Sequence, residues 1–241
     1  GQDIVIAAMK IFMERHQDVW LSYSWHNHWP ASLKTMENSR LIEFTWREAP
    51  CNELLIDTII TNGLDPARVI LHPAFDNHRM PLIYAESDIG IFPNRCEGGN
   101  NLVMCEYMAC GRTVIASDQT GHADVISPEN AFCLHANETE TIRFGDLPVA
   151  AWPQPSPEEL LEKLEEAYTN RAAIITKADT AARDMSRLTW ASADQQFHHI
   201  PVTVSGTSQN PLMRPSADLK GLRHEAEDLF AAGSYEDAET C

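Results

Sequence analysis

The sequence predicts an α/β protein: a parallel sheet flanked by helices, followed by a helical C-terminal tail. Three observations lead there. Short Val- and Ile-rich runs alternate with segments of helical periodicity over roughly residues 3–136, which is the pattern of βαβ units. Hydrophobic residues make up 44% and charged residues 22% of the 241, an ordinary globular balance that allows one large domain or a domain plus a fragment. After about residue 140 the strand signals stop and amphipathic helices take over.

The elements follow in order. Residues 3–17 read as a helix with Asp3 as N-cap and Ile4, Ala7, Ala8, Ile11 and Phe12 on one face. "VWLSYSW" (19–25) and "RLIEFTW" (40–46) read as strands, and "NELLIDTIITNG" (52–63) as a helix closed by Gly63. "RVILH" (68–72) is a strand, "MPLIYAES" (80–87) a short helix with Pro81 in its first turn, and "DIGIFP" (88–93) a strand. A helix over Leu102–Cys110, buried on most sides, comes next. Then follow a strand at 112–117, a helical turn at 121–127 and a strand at 131–136. Residues 157–170 form a solvent-facing amphipathic helix, and a further helical segment covers roughly 171–198. The expected domain spans 1–200, with a Pro/Ser/Gly/Thr linker at 201–218 and a helical tail at 219–241.

Composition excludes several classes. A net charge of −17 repels phosphate backbones, so nucleic acid is not an expected partner. No run of about 18 apolar residues occurs, so no membrane span is expected, and the first residues read as an amphipathic helix rather than a signal peptide. The six cysteines form no CxxC pair and read as buried, reduced thiols, which points to the cytoplasm. "WHNHWP" (25–30) resembles a metal site, but His26 and His28 point to opposite faces if they continue the preceding strand, so no metal is expected.

The candidate site lies where strand 88–93 gives way to the next helix. In a sheet of parallel strands joined by right-handed crossovers, ligands sit beyond the carboxyl ends of the strands. Gly98 and Gly99 remove side chains just before the helix starts, so backbone N–H groups can approach a ligand closely. Together with the helix dipole they suit an anion, and phosphate is the natural guest. Glu106 is the one charged side chain in the apolar segment 102–110. Helical side chains lean toward the N-terminus, so its carboxylate can reach the same cavity. A buried carboxylate must be paired, protonated or ligand-facing, and sugar hydroxyls would suit it as donors. Bonding to tyrosine, arginine or backbone in an ordinary core explains the spacing as well.

The stretch "YAESDIGIFPNRCEGGNNLVMCEYMACGRTVIASDQTGHADVI" (84–126) resembles the signature region of glycosyltransferase family 4. The matching features are Pro93-Asn94-Arg95, Glu97 and Glu106, Met108-Ala109-Cys110-Gly111, and Thr120-Gly121-His122, with eight residues between the glutamates where seven are usual. The resemblance implies a GT-B fold, of which this chain would be the second, Rossmann-like half, and extends weakly over 1–198. It implies that Glu106 binds the ribose hydroxyls of a nucleotide and that Glu97, near the transferred sugar, is the catalytic candidate. Backbone amides of Gly98, Gly99, Asn100, Asn101 and Leu102 would meet sugar hydroxyls and the distal phosphate, and the turn Pro73–Phe75 would flank the base. Arg95 is expected either to add positive charge or to pair with Glu97, with the pair favoured. His122 is expected either to donate to a ligand oxygen or to lie on a turn surface.

The implied activity is transfer of a sugar from a nucleoside diphosphate sugar to an acceptor hydroxyl with retention, without a cofactor or bound metal. The same resemblance places a first strand, with diphosphate-binding Arg and Lys, ahead of Gly1, and an acceptor-binding half ahead of that. Both ends are therefore expected to be cut from a longer protein, and the fragment to be inactive. "AEDLFAAGSYEDAE" (226–239) resembles part of a tetratricopeptide repeat, which would give a protein partner. A non-catalytic scaffold with a degenerate transferase domain is the alternative function. A nicotinamide-binding domain is disfavoured because no GxGxxG follows a predicted strand.

Overall fold

The computed structural model describes residues 1–25, 29–144 and 146–198. The order of elements is α1 (Gln2–Arg15), β1 (Leu21–Tyr23), a 3₁₀ segment (Pro30–Asn38), α2 (Cys51–Thr61), β2 (Val69–Leu71), α3 (Met80–Ala85), β3 (Ile89–Phe92) and α4 (Leu102–Ala109). These are followed by β4 (Thr113–Ser117), a 3₁₀ turn (Thr120–Asp124), β5 (Ala131–Leu134), β6 (Glu138–Phe144), β7 (Leu147–Gln154), α5 (Pro157–Thr169), α6 (Arg171–Met185) and α7 (Trp190–His198). His26 and His28, the expected linker and the helical tail with its repeat-like segment lie outside the described residues.

β1 pairs with β2, and β3, β4 and β5 pair in that order; every one of these ladders is parallel. Alternation along the strands sorts the core onto two faces. Ile115, Phe132 and Leu134 point toward α1, α2 and α5, with Ile89 and Ile91 packed against the same cluster. Val114, Ala116, Ala131 and Cys133 point toward α3, α4 and α6. Strands apolar on both sides are what a sheet covered on both faces requires. Fully buried side chains such as Ile4, Leu55, Met104 and Leu160 each stabilise this arrangement by about 1.5–3 kcal/mol.

Several elements differ from the sequence reading. Residues 40–46 form no strand. Their backbone is satisfied by side chains instead: the Glu43 N–H donates to Asn62 Oδ1 at 2.8 Å, Asn62 Nδ2 donates to the Glu43 carbonyl at 2.8 Å, and the Trp46 N–H donates to Glu37. Leu41, Ile42, Phe44 and Trp46 still pack on the core, which explains their apolar character. Asp3 does not cap α1, which begins at Gln2; Asp3 lies in the first turn and is used elsewhere. The region after 140 is not all helix: β6 and β7 form an antiparallel hairpin with an irregularity at Ile142/Arg143. Pro148 and Pro153 in β7 disguise it, since proline argues against a strand. The helical stretch 171–198 is broken between α6 and α7, and Thr189 Oγ1 accepts from the Ser192 N–H at the start of the second piece. The cysteines are not uniformly buried: Cys51 and Cys133 are, Cys105 is half-buried, and Cys96 and Cys110 are exposed.

Gly63 follows α2 at φ +83°, as its position predicts, and Gly111 follows α4 at φ +72°, a conformation that favours glycine. No helix among the described residues is long and apolar enough to cross a membrane.

Candidate active site

The segment from Asn94 to Leu102 leaves the carboxyl end of β3 and enters α4, with Gly98, Gly99 and Asn100 exposed. A Cβ on Gly98 or Gly99 would meet nothing within 4 Å, so the loop faces open space. Among the described residues, the N–H groups of Gly98, Gly99, Asn100 and Asn101 have no protein acceptor. Asn101 is the N-cap of α4; its Oδ1 accepts from the Met104 N–H at 3.2 Å. Unpaired amides at the start of a helix are a site for a negative charge.

The loop is held from below by the turn after β4. Thr120 Oγ1 accepts from the Glu97 N–H at 3.0 Å, and the Gly121 N–H donates to the Glu97 carbonyl at 3.2 Å. A Cβ on Gly121 would sit 1.7 Å from the Gly99 carbonyl oxygen, so only glycine allows the two backbones to meet. Among the described residues, Asn101 (φ 56°) and Thr120 (φ 54°) are the two non-glycine residues at positive φ. Such a conformation costs about 1–3 kcal/mol and is exceptional for a β-branched residue. Both strained positions belong to the loop and its support.

His122 is fully buried and forms the keystone of that support. Nδ1 donates to the Ser117 carbonyl at 3.2 Å, which leaves Nε2 to accept from Asn101 Nδ2 at 3.1 Å. The ring is thus a neutral Nδ1–H tautomer. Burial lowers its pKa, opposed by the Ser117 carbonyl and the Glu97 charge. This corrects both expectations for His122, since it neither lies on a turn surface nor has a free donor for a ligand. It positions Asn101 instead. His122→Ala is expected to lower stability by about 3 kcal/mol in urea unfolding, from the cavity and the stranded Asn101 amide.

Arg95 also departs from expectation. Its guanidinium makes a paired contact with Asp3, Nη1 to Oδ1 at 2.8 Å and Nη2 to Oδ2 at 2.7 Å, while Nε donates to Gln154 Oε1 at 2.7 Å. It does not pair with Glu97, whose Oε2 accepts from Asn94 Nδ2 at 2.9 Å. Planar fork geometry prefers the bidentate carboxylate of Asp3. Asp3 further accepts from Ser39. Burial pushes the Asp3 carboxyl up, but the Arg95 bond, the Gly1 ammonium and Ser39 prevail and hold it at about 2.

Glu106 is half-buried, not enclosed. Of its helix, Met104, Tyr107 and Met108 are buried, whereas Leu102 is 71% and Val103 50% exposed. The helix is therefore buried along one stripe rather than on most sides. Glu106 Oε2 accepts from the Tyr84 hydroxyl at 3.1 Å, and burial together with the Glu106 charge pushes the Tyr84 pKa up. No described residue donates to Oε1. The structure therefore gathers Glu97, Gly98, Gly99, Asn100, Asn101 and Leu102 in one loop, with Glu106 a turn farther along α4. His122 lies beneath that loop and Arg95 is directed away from it. Asp3, expected only as a helix cap, Thr120, expected only as part of the turn with Gly121 and His122, and Tyr84, which was given no role in the sequence, complete the support.

A parallel sheet covered by helices on both faces, with an anion-suited loop at a strand's carboxyl end, defines a Rossmann-like α/β domain. Residues 47–144 match the family model described as "Glycosyl transferases group 1". That span contains the whole loop, Glu106 and the supporting turn. Among solved structures, the chain is similar to the C-terminal domain of a glycosyl transferase group 1 family protein (LpcC) from Francisella tularensis, at 17% identity over 78% of each chain and a TM-score of 0.54. It is also similar to sucrose-phosphate synthase from Thermosynechococcus elongatus (16% identity, 94% of this chain and 49% of that one, TM-score 0.49). A third is Anabaena HepE in complex with UDP-glucose (16% identity, 82% and 51%, TM-score 0.49). The chain thus spans about half the length of the last two proteins. No curated protein matches the chain.

Proposed function

We propose that this chain is the donor-binding domain of a retaining glycosyltransferase, one that moves a sugar from a nucleoside diphosphate sugar to an acceptor hydroxyl. The observation that carries the reading is Glu106: a half-buried carboxylate with one oxygen that no described residue donates to, a turn beyond four amides without an acceptor among the described residues. A carboxylate that takes two adjacent ribose hydroxyls, beside N–H groups that take phosphate, is a nucleotide site. The family match over 47–144 supports the same class.

In this reading the Gly98–Leu102 amides and the α4 dipole stabilise the charge that grows on the diphosphate as the glycosidic bond breaks. Glu97, half-buried beside them and held by Asn94, orients the sugar or stabilises its oxocarbenium-like state; it is not assigned as a nucleophile. Asp3 and Arg95 stay outside the chemistry and fix the start of the loop. No metal or cofactor enters the scheme, the acceptor is bound by a further half of the enzyme, and the chain alone binds donor without transferring it.

Titration calorimetry with UDP, GDP and their sugars tests the proposal. One nucleotide should bind, and Glu106→Ala should weaken it about 10- to 100-fold, the worth of a hydrogen-bonded charge, with little change in melting temperature. Equal affinity in the variant, or no nucleotide bound at millimolar concentration, sinks the assignment.

A further inference from the structure

Two tyrosines cross-brace α3 and α4 beside the candidate loop. Tyr84 on α3 and Tyr107 on α4 are both buried, and their rings meet edge to face with centroids 5.4 Å apart. Each hydroxyl crosses to the other's segment. The Tyr84 hydroxyl donates to Glu106 Oε2 on α4 at 3.1 Å. The Tyr107 hydroxyl lies 2.9 Å from the Oγ of Ser87, two residues after α3. Ser87 Oγ donates to the Tyr84 carbonyl at 3.1 Å, and a serine has one hydroxyl proton, so Tyr107 is the donor in that bond. The two hydroxyls therefore hold different things. Tyr107 holds a serine that closes a turn, whereas Tyr84 holds the one charged side chain of α4.

The bond to Glu106 leaves that carboxylate with capacity to spare. A carboxylate offers about four acceptor positions on its two oxygens. Tyr84 takes one, and no other described residue donates to either oxygen. Two hydroxyls on adjacent carbons need two. Tyr84 comes from the core, where it shares a cluster with Met104, Tyr107 and Met108, so it does not occupy the solvent side of the half-buried carboxylate. Burial and the Glu106 charge push the phenol's pKa up, so it stays a donor at any working pH. Fixing a glutamate costs much rotamer freedom, because the side chain has three rotatable bonds. A ligand that meets it already fixed does not bear that cost.

We propose that Tyr84 is the positioning residue for nucleotide binding: by holding Glu106 Oε2 from the core it presents a fixed carboxylate to the paired hydroxyls of a ribose, and so sets the preference for a ribonucleotide over one that lacks those hydroxyls. The inference rests on the nucleotide reading of the site. Tyr84 itself touches no ligand; it acts through Glu106. The Tyr107–Ser87 bond keeps the two helices at the spacing this needs, and the edge-to-face rings fix the direction from which the phenol arrives.

Calorimetry of the full chain with UDP and GDP, each beside its 2′,3′-dideoxy analogue, tests the role. The parent should bind one ribonucleotide more tightly than its dideoxy form. Tyr84→Phe keeps the ring and removes the hydroxyl. It should weaken that ribonucleotide about 10-fold and leave the dideoxy form unchanged, so the preference shrinks. In a Glu106→Ala background, Tyr84→Phe should change neither affinity, because its effect passes through Glu106. Ser87→Ala is the structural control and should lower the melting temperature without altering the preference. An unchanged preference in Tyr84→Phe, equal weakening of both nucleotide forms, or an effect that persists without Glu106 overturns the positioning role and leaves the donor-site reading standing. A parent chain that binds neither UDP nor GDP sinks that reading and this inference with it.

Discussion

Replacing Arg95 with methionine is expected to destabilise the protein by about 3 kcal/mol or more, the largest stability effect of any single change around the site. The guanidinium is 18% and the Asp3 carboxylate 9% exposed, so truncation leaves a carboxylate in poor solvent with only Ser39 and the chain's amino terminus beside it. Urea unfolding of Arg95→Met measures the loss. The double variant Asp3→Leu/Arg95→Met should recover much of it, because removing both charges removes the stranded one. An Arg95→Met variant as stable as the parent would show that the pair contributes nothing.

The same pair sets an acid limb. The folded pKa of Asp3, about 2, lies below its ordinary value of 3.8, so the folded state binds this proton less readily than the unfolded chain. The contribution of about 2 kcal/mol is complete above about pH 4–5 and is lost as pH falls toward 2. Asp3→Asn should flatten the stability profile across that window.

The second large effect is at Gly121. A Cβ there lies 1.7 Å from the Gly99 carbonyl oxygen, 2.5 Å from its carbon and 3.2 Å from the Glu97 carbonyl oxygen. All three are backbone atoms, so no rotamer change relieves the overlap, and the loop must lift by more than an ångström. Displacement on that scale is enough to cost on the order of 100-fold in a positioned site. Gly121→Ala is therefore expected to reduce nucleotide-sugar affinity by about 10- to 100-fold while leaving α1 and β4 in place. Calorimetry reads the first quantity, and circular dichroism with thermal melting reads the second. Unaltered affinity would separate the loop from ligand binding.

Much of the fold was legible because it depends on local pattern. Val- and Ile-rich runs marked β2 through β5, and Gly63 and Gly111 sit at helix ends where their positive φ is used. The hairpin β6–β7 was missed because Pro148 and Pro153 contradict the strand rule at its edge positions, and strand 40–46 was over-read because apolar residues packed in a coil look like half a strand. The loop was legible through Gly98, Gly99 and Glu106. Its support was not: Asp3 and Arg95 lie 92 residues apart, and no spacing rule joins them. Nor does any signal in Thr120 or His122 announce a left-handed backbone or a buried neutral ring; only the meeting of Gly121 with Gly99 makes those conformations necessary.

The reach of Arg95 has a kinetic corollary. Its partners are separated from it by 92 residues in one direction and 59 in the other, so these bonds close some of the longest loops in the chain. Contacts of that span carry a large loop-closure cost, so they are expected to form after nearby segments have assembled. Strengthening them should leave the refolding rate almost unchanged and slow spontaneous opening instead, making this one side chain a clasp on the protein's lifetime.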